Sequence, residues 1–200
     1  MIRYECLELL AARMTDQLVV TSQSGQRIEW SHLSNHEGNL IVGMMGCALG
    51  LGMGLARALP HRKVIVLESD GSVLLSLFNL PTLGNLQPKN LVVYVFDNGV
   101  YSGSRISYPT ATSGNTDLEA MGKGAGISNA TTIRDIGDFK QRGLGALTRE
   151  ELALIVCKVE ESLIHRQIQR PTTDLAENKY RFMRYVERTE GKTIPFIGRG

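Results

Sequence analysis

Five short runs of strand length stand out, "DQLVVTS" (16–22), "KVIVLES" (63–69), "NLVVYVFDN" (90–98), "NATTIRD" (129–135) and "LALIVCKVE" (152–160), and all but the fourth are rich in Val, Ile and Leu. A strand with one face in water alternates apolar and polar residues; the second and third of these runs are apolar at nearly every position, so both their faces must be covered. Helical patterns lie between them: a glycine-rich stretch over 40–56, a helix starting near Ser72, "DLEAMGKG" (117–124) and "IGDFKQRGLGAL" (136–147). Strands and helices in alternation call for a parallel sheet with helices on both faces, a three-layer α/β architecture. The last run fits either period, and Ile155, Val156 and Val159 favour strand.

At 200 residues and 42% hydrophobic, the chain holds one core and not two, so a single domain over 1–200 is expected. Its last part, 171–200, reads as a surface helix and tail; "ENKYRFMRYVER" (177–188) has helical spacing that would dock Tyr180 and Phe182. The 22 basic and 20 acidic residues are dispersed, which argues against a nucleic-acid or membrane partner. Cys6, Cys47 and Cys157 show neither zinc nor disulfide spacing and suit a reducing cytoplasm. Glu5 and Glu8 interrupt the N-terminal "MIRYECLELLAARM" where a signal peptide needs an apolar core, leaving an amphipathic first helix. The uncharged 40–56 stretch carries five glycines, is short for a bilayer, and reads as a buried helix in close contact with its neighbours. The longest irregular stretch, "GVYSGSRISYPTATSGN" (99–115), follows a strand directly and is expected to be a functional or mobile loop.

Chemistry gathers at two strand ends. "SDGS" (69–72) ends one strand and opens a helix; Gly71 can take a tight turn, and the helix start offers N–H groups to a phosphate. Asp70 would repel that anion unless a cation lay between. "FDNGVY" (96–101) ends the next strand, placing Asn98 28 positions after Asp70. A carboxylate, an amide oxygen and a loop carbonyl make a partial oxygen shell suited to magnesium, with a diphosphate and water completing it. The plainer alternatives are a helix cap for Asp70 and an Asx-turn for Asn98. Other candidate motifs fail on spacing: "GLGMG" (50–54) lies inside a helix pattern, and "MGKGAG" (121–126) lacks the Ser or Thr of a P-loop. His32, His36, His61 and His165 have no partner at informative spacing.

Taken together, "SDGS", "DNGVY" and the upstream "GMMG" (43–46), with Met45 standing 25 positions before Asp70, resemble the cofactor domain of thiamine diphosphate enzymes. "YPTAT" (108–112) and "LEAMGKGAGI" (118–127) look like sulfopyruvate and phosphonopyruvate decarboxylases, and the chain length looks like a separate beta subunit. The resemblance implies a thiamine diphosphate-binding fold, with Asp70, Asn98 and the Val100 carbonyl on Mg2+. It places Ser24, Gly25, Gln26, Gly71, Ser72 and Tyr101 around the cofactor, Met45 propping it into its bent form, and the Gly43 carbonyl on the aminopyrimidine. It implies decarboxylation of a small 2-oxo acid, or alternatively carboligation. The activating glutamate would belong to a pyrimidine-binding domain on a partner subunit, because this chain has strands for one domain only. Departures are Ser69, where glycine is usual and where strain is expected, and Asp97, where Asn is frequent. Arg105, in "SGSRIS", is the tentative contact for an anionic substrate. A non-catalytic nucleotide-binding scaffold is the reading from a different class.

Overall fold

β4 (Leu91–Asp97) is buried at all of its positions and forms the middle of a parallel sheet. The computed structural model describes residues 1–102, 106–162, 164–169 and 174–194. β4 lies between β3 (Val64–Ser69) and β8 (Ala153–Lys158). β1 (Leu18–Thr21) and β2 (Asn39–Ile41) extend the sheet past β3, and β7 (Ala130–Ile133) closes it beyond β8. The order is β2-β1-β3-β4-β8-β7. All five apolar runs are therefore strands of one sheet.

Alternate residues feed two cores. Val64, Val66, Val93 and Val95 pack beneath α3 (Ala48–Ala58) and α5 (Asn79–Leu86). Ile65, Leu67, Tyr94 and Phe96 face the other way, against Leu7 and Leu10 of α1 (Arg3–Ala11) and Trp30 of α2 (Gly25–Leu33). Each such side chain, fully buried, contributes about 1.5–3 kcal/mol, and both faces of the central strands are used. Arg3 joins α1 to α2 through two hydrogen bonds of 2.8 Å to the Glu29 carboxylate, a buried forked pair.

The 40–56 stretch is not one helix. Leu40 and Ile41 belong to the edge strand β2, residues 43–46 form a turn in which Gly46 takes φ +80°, and α3 begins at Ala48. Three strand residues merging into a long apolar run leave no periodic signal, so β2 is invisible to the eye. The expected close approach is sharpest within α3 at Gly52, where a Cβ would lie 2.1 Å from Val66 Cγ2; one at Gly43 would lie 2.5 Å from Leu175 Cδ1, whereas one at Gly54 would meet open space. Among the described residues, no helix is long and apolar enough to cross a membrane.

At the C-terminal end, α9 (Leu175–Glu190) starts at Asp174, whose carboxylate accepts from Glu177 N at 2.7 Å. It covers the sheet edge. Asn178 Oδ1 accepts from Ile41 N at 2.8 Å and its Nδ2 donates to Asn39 O at 2.9 Å, satisfying the exposed backbone of β2. Phe182 docks as expected; Tyr180 instead remains 40% exposed. His61 finds an acidic partner that spacing could not show, Glu190, at 2.7 Å and 129 residues away.

The 99–115 stretch has more structure than expected. β5 (Val100–Tyr101) pairs with β6 (Tyr108–Pro109) in an antiparallel ribbon, followed by a 3-10 turn at Ala111–Ser113. Arg105 lies outside the described residues.

Candidate cofactor and metal site

The strand order reverses between β1 and β3, since the chain leaves β1 toward β2 on one side and crosses to β3 on the other. Loops at the carboxyl ends of such strands diverge and leave a crevice. A cavity of about 130 Å³ opens there. Its walls are Ser24 and Gly25 at the start of α2, Met45 in the turn before α3, Ser69 and Gly71 at the end of β3, and Asn98, Val100 and Tyr101 after β4. Residues far apart in sequence thus meet at one sheet edge. Gln26, Asp70 and Ser72 lie beneath it, fully buried, while Gly43 sits on the exposed shoulder of the Met45 turn.

Ser69 is not strained. Its backbone is extended (φ −108°, ψ 160°), open to any residue, and its hydroxyl caps α4 (Asp70–Leu74) by accepting from Ser72 N at 3.3 Å. Because Ser69 takes the cap, Asp70 is released from it. Gly71 lies inside α4 and makes no special turn; a Cβ there would stand 2.3 Å from Tyr101 Cε1, so glycine is needed to let that ring lie across the helix start.

Asp70 Oδ2 accepts from Thr110 Oγ1 at 2.6 Å and from Thr112 Oγ1 at 3.0 Å, while Oδ1 is buried with no hydrogen-bond partner among the described residues. Burial raises its pKa above the ordinary carboxylate value; the Thr110 and Thr112 hydroxyls and the Gly71 N–H oppose the rise, and the nearby Asp97 charge adds to it. Thr112 Oγ1 also reaches Asp97 Oδ1 at 2.8 Å, and Asp97 is held by Gly99 N at 3.1 Å and by Lys158 Nζ at 2.5 Å. The unusual Asp97 therefore brings its own counter-charge from β8. Asn98 Oδ1 accepts from Val100 N at 3.2 Å, the Asx-turn of the plainer reading, and retains a second lone pair.

This donor set fits a hard dication. Magnesium is held by one or two carboxylates together with phosphate and water, not by a full protein cage; among the described residues no group of three or more His, Cys, Asp or Glu forms such a cage. An orphaned carboxylate oxygen in a desolvated site gains most from a cation. The uncapped start of α2, where Ser24 directs its hydroxyl to Gln26 Oε1 and not to the helix N–H groups, suits an anionic diphosphate. Thr110, Thr112 and Lys158 were not identifiable from spacing, because each acts across strands or from the returning ribbon.

Glu68, the last apolar-face position of β3 before Ser69, is also wholly buried. Its Oε1 accepts from Leu49 N in the first turn of α3 at 3.0 Å, and Oε2 makes no close hydrogen bond. Burial raises its pKa, opposed by the hydroxyls of Ser72 and Ser22 and the N–H groups of Leu49 and Ser69.

Comparison with known proteins agrees with this geometry. Residues 22–157 match the family described as "Thiamine pyrophosphate enzyme, C-terminal TPP binding domain". A sulfopyruvate decarboxylase subunit beta from Methanocaldococcus jannaschii is 32% identical over 190 residues, covering 94% of this chain and 98% of that one. The same subunit from Methanococcus maripaludis is 30% identical and covers 93% and 98%. A phosphonopyruvate decarboxylase from Streptomyces viridochromogenes is 30% identical over 92% of this chain, which spans 46% of its length. Among solved structures, a benzoylformate decarboxylase from Polynucleobacter necessarius superposes with a TM-score of 0.67 at 19% identity, over 82% of this chain and 34% of that one. A 4-hydroxybenzoylformate decarboxylase from Rhodococcus jostii gives 0.64 at 20% identity, over 81% and 33%. These last likenesses speak for the fold. The chain belongs to the thiamine pyrophosphate enzyme family, as the C-terminal, TPP-binding domain that its parallel sheet and switch-point crevice describe.

Proposed function

We propose that the 200 residues form the diphosphate-binding subunit of a thiamine diphosphate- and Mg2+-dependent 2-oxo acid decarboxylase of the sulfopyruvate or phosphonopyruvate type. The observation that carries this reading is Asp70, whose buried Oδ1 is left unpaired beside a cleft walled by Asn98 and Val100. Asp70, Asn98 and the Val100 carbonyl hold the metal. Ser24, Gly25 and Gln26, at the uncapped start of α2, bind the diphosphate through helix N–H groups, and Gly71 and Ser72 line the cofactor's other side at the start of α4. Tyr101 closes over Gly71, Met45 supports the cofactor's bent form, and the Gly43 carbonyl accepts from its aminopyrimidine. When bound, thiamine diphosphate supplies the carbanion nucleophile and the electron sink for loss of carbon dioxide. The protein binds, orients and excludes water. Arg105, outside the described residues, is proposed to meet the substrate's anionic group.

A partner subunit completes the site by supplying the pyrimidine-binding domain and its glutamate. Three observations support this. The chain matches relatives called subunit beta from end to end, while it spans about half the length of the phosphonopyruvate decarboxylases. The cavity of about 130 Å³ is well below the ~300–1,000 Å³ of complete ligand sites. Met44 and Leu75 are 67% and 60% exposed at the Met45 turn, where a Cβ on Gly46 would lie 3.5 Å from Leu75 Cβ. Such an apolar patch at the lip of a site calls for a cover. The free cysteines, Cys6, Cys47 and Cys157, support a cytoplasmic setting.

The test is to produce the chain with its natural partner and follow carbon dioxide release from a panel of 2-oxo acids, sulfonated and phosphonated ones included. Turnover is expected from the pair only; turnover by the purified chain alone would contradict the shared site. Product analysis with added aldehyde separates decarboxylation from carboligation.

A further inference from the structure

Glu68 is an expensive residue for its position. It occupies a central parallel strand where Val64, Val66 and their neighbours are apolar, and it is fully buried with one oxygen lacking a close partner. A leucine would fill the same place in the core without the desolvation cost of a carboxyl group. What a leucine would lose is one hydrogen bond and the carboxylate that two buried serine hydroxyls favour. Leu49 N, at the start of α3, donates to Glu68 Oε1 at 3.0 Å. Ser72, whose hydroxyl lies against the Glu68 carboxyl, accepts from Gly46 N at 2.8 Å and so holds the turn that carries Met45. Ser22, on the β1 side of the same carboxyl, accepts from Gln26 Nε2 at 2.8 Å, and Gln26 Oε1 accepts in turn from the Ser24 hydroxyl. Ser22, Gln26 and Ser72 are each fully buried, so water does not compete for the Gln26–Ser22 and Gly46–Ser72 bonds beside the carboxyl.

We infer that Glu68 is a positioning residue for the cofactor cleft: it fastens the 22–26 loop, the 43–46 turn and the start of α4 to one rigid strand end. The three segments are those proposed to contact the diphosphate and the aminopyrimidine, so the inference rests on the cofactor reading above. The half-site on this chain is thereby set before cofactor arrives, and ordering of three loops is not charged against binding. A carboxyl that only capped α3 would need Leu49 N alone; the Ser22 and Ser72 branches are what distinguish positioning from capping.

The experiment uses the full chain with its partner and reads thiamine diphosphate affinity by calorimetry in saturating Mg2+, together with amide hydrogen exchange of the cofactor-free protein. Glu68→Leu is expected to weaken the affinity by about 10- to 100-fold, the scale of a lost buried hydrogen-bond network, and to speed exchange at 22–26 and 43–49 while leaving β7 and β8 unchanged. Glu68→Gln keeps an acceptor for Leu49 N but turns an amide NH2 toward the Ser22 and Ser72 hydroxyls, so it is expected to bind more weakly than the parent, between the parent and Glu68→Leu; binding equal to the parent would leave only the cap on α3 and overturn the inference. Unchanged affinity in Glu68→Leu, or faster exchange spread evenly over the sheet, would overturn the inference. If Glu68→Leu does not fold, Ser22→Ala cuts only the Gln26 branch; local exchange over 22–26 with weaker binding supports the positioning role, and no change in either contradicts it. Failure of the parent protein to bind thiamine diphosphate at all would sink the cofactor reading and this inference with it, whereas normal binding by the parent and all variants sinks the inference alone.

Discussion

Glu68 and Asp70 stand two positions apart at the end of β3, both fully buried, both with one unpartnered oxygen, and both with pKa values raised by burial. Their surroundings differ. Glu68 is met by the N–H groups of Leu49 and Ser69 and by the hydroxyls of Ser22 and Ser72. Asp70 is met by hydroxyls of a ribbon forty residues on, and across Thr112 it faces Asp97. Negative charge accumulates on the Asp70 side, and among the described residues it is answered by Lys158, which pairs with Asp97. One side of the strand end is a fastening; the other is a site that a cation would complete.

Three changes sharpen that contrast. The largest effect is expected from Gly71→Ala, because the new Cβ would force Tyr101 out of the cleft mouth. A loss of about 1–3 kcal/mol in urea denaturation, typical of overpacking, should accompany clearly weaker cofactor binding; unchanged binding would separate the ring from the site. Thr112→Val keeps the shape but removes the hydroxyl shared by Asp70 and Asp97. It should cost about 1–2 kcal/mol and weaken Mg2+ binding while leaving exchange over 22–26 and 43–49 as in the parent. Disturbance on both sides would show that the two networks are one.

The smallest effect concerns a carboxylate of the opposite kind. Glu190 is partly desolvated, which raises its pKa, but hydrogen bonds from Arg62 and His61 outweigh this and hold it below the usual range. Its contribution is therefore present above the ordinary Glu pKa of about 4.3 and lost as pH falls through the depressed folded value. Glu190→Gln should be less stable than the parent near neutral pH, and the gap should close on acidification. A gap that is constant with pH would mean that the Arg62 and His61 contacts with α9 carry no net charge effect.

The sheet was legible because its strands are apolar on both faces. β1, β3 and β4 follow from their Val, Ile and Leu content, β7 from β-branched Thr and Ile, and β8 from Ile155, Val156 and Val159 in a run of mixed period, whereas Asn39–Ile41 is too short and too close to the "GMMG" turn to read as a strand. The two loops meeting over Asp70 were legible as spacings, 70 to 98 and 45 to 70, but their support was not. Thr110 and Thr112 reach Asp70 only because β5 and β6 fold the chain back, and Asp97 is compensated by a lysine on a strand 61 positions away. Ser69 was misjudged because glycine at a motif position suggests positive φ, while here the backbone is extended. Glu68 did leave a signal: an acidic residue ending an otherwise apolar central strand has to be buried, and a buried carboxyl has to find partners.

The central claim is that the unpaired oxygen of Asp70 belongs to a metal that carries a diphosphate. Calorimetric titration of the chain and its partner with thiamine diphosphate, with and without Mg2+, in the parent and in Asp70→Ala, tests it most directly. Binding that requires Mg2+ in the parent and disappears in a folded Asp70→Ala protein is the expected result. Equal affinity with and without the metal, or retained metal-dependent binding in the variant, would contradict it.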